Sequence, residues 1–117
     1  MLELKRVYDP PSTKDGYRVL VDRLWPRGLK RDGSRIDAWL KDVAPSDELR
    51  RWFGHDPARW EEFQARYSRE LMAQELVWQE LLQRARKGRV TLLYAAKDAH
   101  RNNAMALKYF LEGRLGK

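Results

Sequence analysis

The chain contains no cysteine, which excludes disulfides, thiol catalysis and thiolate-held zinc or iron in one step. Histidine is nearly as scarce. His55 and His100 are the two in 117 residues, too few for a histidine-rich metal centre. That leaves an all-oxygen Mg2+ site as the one metal chemistry still open, and no cofactor or resident metal is expected. No run approaches the ~18 apolar residues needed to span a bilayer. The opening Met1-Leu2-Glu3-Leu4-Lys5 lacks the apolar core of a signal peptide, so a cytoplasmic protein with no membrane partner is expected. Nucleophile signatures are missing as well: Ser12, Ser34, Ser46 and Ser68 have no glycine elbow, and Gly28 and Gly33 build neither a P-loop nor a dinucleotide fingerprint.

What the chain does have is aromatic residues and charge. Five Trp, five Tyr and three Phe in a composition that is 43% hydrophobic exclude a disordered chain, and the length fits one domain. The net charge is +7 and the pI about 9.9. Charge is unevenly spread, at 0 for residues 1–22, +4 for 23–41, −4 for 42–83 and +7 for 84–117. Such a distribution suits a local anion site, a phosphate-backbone footprint or a solvated basic face.

Val90-Thr91-Leu92-Leu93-Tyr94 runs without alternation into Ala95-Ala96 and then a polar loop, the pattern of a central parallel strand buried on both faces. Earlier, Leu2 to Tyr8 reads as a strand stopped by Asp9-Pro10-Pro11-Ser12, and Tyr17 to Val21 as a second strand that delivers Asp22-Arg23. Residues 28–36 form a basic loop. Residues 36–40 are either a short strand or irregular.

Ser46 is a plausible N-cap, with Asp47 and Glu48 in the first turn of a short helix ending near Gly54. Asp56-Pro57 opens the next helix, striped by Trp60, Phe63, Tyr67 and Leu71. A further helix spans about 74–87, with Leu76 or Val77, Leu81 and Ala85 inward and Gly88 at its end. The last covers about 101–112, burying Ala104, Leu107 and Leu111 with Met105 and Phe110 flanking. The sum is a single α/β domain: a small, mainly parallel sheet flanked by helices on both faces.

Several of these segments carry a resemblance. Lys5-Arg6-Val7-Tyr8-Asp9-Pro10, the run Gly16-Tyr17-Arg18-Val19-Leu20-Val21-Asp22-Arg23-Leu24-Trp25-Pro26-Arg27-Gly28, Trp52-Phe53-Gly54-His55-Asp56 and Thr91-Leu92-Leu93-Tyr94-Ala95-Ala96-Lys97-Asp98 resemble the YeaO-like bacterial branch of domain-of-unknown-function family 488. The resemblance covers nearly the whole chain. It implies a compact cytoplasmic α/β domain and no assigned activity. In one place the chain departs from the pattern: the family loop tends to set a histidine beside the asparagine, whereas here Asn102-Asn103 stand together and His100 precedes Arg101. No histidine general base carries over.

In open α/β sheets ligands bind beyond the carboxyl ends of the strands. If strands 18–22 and 90–94 are parallel neighbours, Asp22, Arg23, Trp25 and Arg27 meet Lys97, Asp98, His100, Asn102 and Asn103 at one edge. Arg23, Arg27 and Lys97 would hold an anion, Asn102 and Asn103 would donate hydrogen bonds, and Trp25 would form a wall. Asp22, Asp98 and His100 are the candidate acids and bases.

Structural readings compete. Asp22 could pair with Arg23 or Lys97, Asn102 could be a helix cap, and for His55-Asp56 the cap role of Asp56 is preferred to an acid/base pair. The leading reading is therefore a protein that binds a phosphate-, nucleotide- or carboxylate-bearing small molecule at this edge, with or without acid/base catalysis. The alternative is a nucleic-acid-associated accessory or regulatory protein using the last helix and the loop at 27–35, although no helix-turn-helix spacing supports it.

Overall fold

The computed structural model describes residues 1–32 and 35–116. Gly33 and Ser34 of the expected basic loop, and Lys117, lie outside the described residues. Four strands, β1 (Leu2–Arg6), β2 (Tyr17–Leu20), β3 (Ala38–Trp39) and β4 (Val90–Tyr94), form one sheet in the order β1-β4-β2-β3, every pair parallel. The unalternating strand is central, as expected: all five residues of β4 are buried. Leu92 pairs with Leu4 on one side and Val19 on the other. Of the expected strand at 36–40, only Ala38 and Trp39 pair into the sheet.

Among the described residues four α-helices follow the caps and stripes of the sequence: α1 (Asp47–Phe53), α2 (Trp60–Met72), α3 (Glu75–Lys87) and α4 (Asn103–Leu115). Ser46 caps α1 by accepting from the Leu49 N–H at 3.1 Å, and the Glu70 carboxylate holds that cap from α2, accepting from Ser46 N and Oγ at 2.9 and 2.6 Å. Phe63, Tyr67 and Leu71 are buried as predicted. Tyr67 donates its hydroxyl to Val43 O at 2.5 Å, and burial pushes its ionisation up.

Two inward assignments are refined. On α3 the alternative between Leu76 and Val77 falls to Val77, half-buried against the core, while Leu76 is 86% exposed; Trp78 is buried as well, its indole N–H donating to Leu71 O at 2.7 Å. Residues 78, 81, 82 and 85, at helical spacing, share the face toward the sheet. On α4, which starts at Asn103 rather than 101, Phe110 is buried rather than flanking, edge-on to Trp78 at 5.1 Å.

The helical cover is one-sided. Core residues of all four helices join Leu2, Val19, Val21, Val90, Leu92 and Tyr94 in one cluster, since alternate strand residues point to the same face. The opposite face carries Val7, Leu20 and Leu93 under Trp25, Leu29, Ile36, Trp39 and Ala95. An irregular, tryptophan-bearing segment therefore does there what helices were expected to do. Because β4 is buried on both faces by either kind of cover, its sequence could not distinguish them.

Residues 7–16 return from the end of β1 to the start of β2, passing under β4 on this second face. Thr91 Oγ1 donates to Asp15 O at 2.6 Å, and the Asp15 carboxylate takes Lys5 Nζ at 3.1 Å and Arg18 Nη1 at 2.5 Å, one from each strand flanking β4. Asp15 thus ties three strands at their undersides.

Candidate functional site

At the carboxyl ends of β2 and β4 the chain leaves a hollow of about 600 Å3. Parallel pairing of these strands brings Asp22 beside Ala95, whose N–H donates to Asp22 Oδ2 at 2.9 Å. From the first turn of α4, Asn103 donates its amide to Val21 O at 3.0 Å and to the Asp22 carboxylate. Burial pushes the Asp22 carboxyl above its ordinary range, and it outweighs the Asn103 and Ala95 hydrogen bonds and the nearby charges of Arg50 and His55.

The Leu24-Trp25-Pro26-Arg27 turn forms one wall. Trp25 is fixed by its indole N–H to Leu29 O at 2.8 Å and by edge contact with Trp39 at 5.4 Å. Arg27 is tethered through its carbonyl, which accepts from the Tyr8 hydroxyl at 2.8 Å. Its exposed guanidinium has no partner among the described residues. Arg23 differs: its Nε donates to Pro45 O and its Nη2 to Ala44 O, both at 3.1 Å, with Asp47 3.9 Å away. Two donors of the fork expected to hold an anion instead anchor the backbone leading into α1. Neither ion pair considered for Asp22, with Arg23 or with Lys97, forms.

The loop from Ala95 to Asn103 divides its residues. Ala95, Ala96, Asn102 and Asn103 line the hollow, whereas Lys97, Asp98 and His100 do not. Lys97 and His100 are exposed. Asp98 Oδ1 accepts from the backbone N–H of His100 and Arg101 at 2.9 and 3.0 Å, and these bonds hold its carboxyl below the usual range. Asn102, 1% exposed, accepts from Met105 N at 2.8 Å and donates to Asp98 O at 2.9 Å, so it caps α4. The candidate acids and bases Asp22, Asp98 and His100 are therefore not assembled as one set. Asp98 and Asn102 instead shape the turn that starts α4 beside the hollow, which Asn102 and Asn103 line, and the N–H groups of Asn103 and Ala104 carry no partner among the described residues.

The opposite wall was not anticipated. Phe53 and Arg50 from α1, His55 just beyond it, and Phe63 from α2 complete the lining with Ala44 and Pro45. Phe53 stacks on Phe63 with centroids 4.3 Å apart. Asp56 does cap the next turn, accepting from Ala58 N at 3.0 Å, but His55 reaches the hollow through unusual backbone. Gly54 and His55 both lie in the left-handed region, at φ 53° and 56°, which is uncommon for a residue other than glycine. The available signal was the cluster Trp52-Phe53-Gly54-His55. No group of three or more His, Asp or Glu residues able to hold a metal occurs among the described residues.

The profile described as the inactive DUF488-N3 subclade matches residues 1–117. The chain is 43% identical over 110 residues to the uncharacterized protein YeaO of Escherichia coli (strain K12), covering 94% of this chain and 96% of that one. It is 42% identical over 113 residues to the uncharacterized proteins Mb3100c of Mycobacterium bovis and Rv3073c of Mycobacterium tuberculosis (strain H37Rv), covering 97% of this chain and 95% of each. No solved structure matches.

Proposed function

Because the chain belongs to the inactive DUF488-N3 subclade, we propose that it acts by binding rather than turnover, holding a small anionic molecule with an apolar or ring-bearing part. One observation carries this reading. A hollow of about 600 Å3 at the strand ends gathers Asp22, Arg27, Asn103 and the open amide end of α4 over walls of Trp25, Phe53 and Phe63. Sites for small molecules have this make-up, an apolar concavity with a few convergent polar groups.

The Arg27 guanidinium and the first amides of α4 would take the phosphate or carboxylate, and the aromatic walls would take a base or ring. Asp22 would receive a hydrogen-bond donor of the ligand. The subclade description and the positions of Asp98 and His100 away from the hollow both favour binding without an assembled acid/base pair. A cytoplasmic location goes with this reading, supported by the absence of cysteine and by the lack of any helix among the described residues long and apolar enough to cross a membrane.

The test is a thermal-shift screen over nucleotides, sugar phosphates and organic acids. A ligand present at ~100 times its Kd contributes about 2.7 kcal/mol, several degrees in Tm for a domain of this size. Arg27→Ala should remove the ligand-induced shift while leaving the free protein's Tm within ~1 °C, as expected for an exposed side chain with no partner. A screen in which no compound raises Tm, or a shift that survives in Arg27→Ala, overturns the proposal.

A further inference from the structure

The edge of the sheet opposite the hollow collects six cationic side chains from distant parts of the sequence. Lys14 comes from the β1–β2 connection, Arg84, Arg86 and Lys87 from the last turn of α3, Arg89 from the step into β4, and Arg114 from the last turn of α4. Contacts hold them together. Arg89 Nη1 donates to Lys14 O at 3.2 Å, Arg86 Nη2 to Arg114 O at 3.4 Å, and Arg84 lies 4.0 Å over the ring of Tyr17, the first residue of β2. Tyr17 N in turn donates to Arg89 O at 3.0 Å. Five of the six are exposed and Arg114 is half-buried.

The acidic relief is slight. Glu80 pairs with Arg84 at 3.4 Å, and Glu3 is exposed on neighbouring β1.

Cations near helix carboxyl ends complement the helix dipole, which accounts for the residues on α3 and α4. It does not account for Lys14 and Arg89, which belong to no α-helix, and the Met1 amino group already donates to the carbonyls of Ala85 and Gly88 at the end of α3. Bringing Lys14 and Arg89 beside these four raises repulsion, which an anionic partner would relieve.

We propose that this edge docks the phosphate backbone of a double-stranded nucleic acid without reading its sequence. Four of the six groups are guanidiniums, whose planar fork fits phosphate oxygens. The aromatic rings nearby are covered by Arg84 and Arg114, so the patch lacks the uncharged, aromatic centre that a protein partner would bury. Among the described residues Met1 is the one large apolar side chain exposed there, too little for membrane anchoring.

The test is fluorescence anisotropy of the full chain with a labelled DNA duplex of about 20 base pairs across a salt series. Each phosphate neutralised contributes about −0.9 to the slope of log K against log salt, so four to six contacts give a slope of roughly −4 to −5. Lys14→Gln and Arg89→Gln should each flatten it by about 1. Lys87→Gln, whose side chain has no partner among the described residues, should do the same without touching the fold. Arg27→Ala, in the hollow at the far edge, should leave the slope unchanged, which separates this proposal from the ligand site. A slope shallower than about −2 overturns the proposal. So does an undiminished slope in all three glutamine variants, or uptake by phosphatidylserine vesicles with the duplex ignored.

Discussion

Two aspartates show how similar side chains serve opposite ends. Asp15 is 9% exposed. Burial works against its charge, but the Ser12 N–H, Lys5 and Arg18 together hold its carboxyl below the ordinary range. The stability it contributes is therefore present above the unfolded carboxylate pKa of ~3.9 and lost as pH falls through the lower folded value. Asp15→Asn should cost about 3 kcal/mol at pH 7, since it strips a buried guanidinium of its counter-charge, and the difference from the parent chain should fade below pH ~4.

Asp22 is shifted the other way. Its folded form holds the proton more tightly, so the parent chain loses stability as pH climbs from the unfolded value through the folded one. Asp22→Asn should match or exceed the parent at pH 7 and flatten that decline. Urea melts of both variants from pH 3 to 8 decide the matter. A neutral-pH loss in Asp22→Asn comparable to that of Asp15→Asn would make Asp22 a structural residue, and a retained, costly carboxylate would point to use.

Asp22, Trp25, Arg27 and Asn103 were legible because strand ends in α/β sheets are where polar residues converge. Asp15–Arg18 was not, since a sequence does not reveal which charged strand residue is inward. Arg50 was missed, and His55 was set aside in favour of the Asp56 cap, because a separate helix brings them across.

At the scale of elements, the connection into β2 turns on Gly16. Its φ is 68°, and a Cβ there would sit 2.3 Å from the Arg89 carbonyl oxygen, which is backbone and cannot swing aside. Gly28, with φ 77°, has open space around it. Gly28→Ala should cost only the conformational strain, on the order of 1 kcal/mol, whereas Gly16→Ala should cost at least ~3 kcal/mol through strain and overlap together. Equal costs in denaturant melts would show that the β1–β2 connection yields more readily than its contacts with β4 imply.

Caps and stripes made the helices readable: Ser46 and the 60-63-67-71 series stand where expected, whereas Asp56 caps a 3-10 turn at Pro57–Arg59 that leads into α2. The nature of the second face was not, because a loop held by Trp25 and Trp39 has no period to detect.

The whole molecule is layered around one sheet, and both of its apolar clusters carry tryptophan. Trp25 and Trp39 lie on the loop-covered face, and Trp52, Trp60 and Trp78 on the helical core. The loop is tied across the sheet edge through Trp39 Nε1 to Asp22 O at 2.8 Å and through Arg23 to Ala44 and Pro45. Fluorescence and far-UV circular dichroism should accordingly give coincident transitions. A fluorescence midpoint reached well before the loss of helix would mean that the 23–40 cover peels away as its own unit. Charge is partitioned at this scale too: Arg84, Arg86, Lys87, Arg89 and Arg114, five of the basic residues in 84–117, gather at the edge away from the hollow, which only the fold could show.

The strand order β1-β4-β2-β3 has a consequence for how the chain is made. β1 leaves the ribosome with no neighbour to pair with, and β2 with only the two residues of β3, until β4 arrives some 90 positions after the first strand. Contacts this distant in sequence fold slowly. Throughout that wait Leu2, Val19 and Leu20, all of which end up buried, stay bare on the growing polypeptide, a reason for this small protein to clump when translation stalls before residue 90.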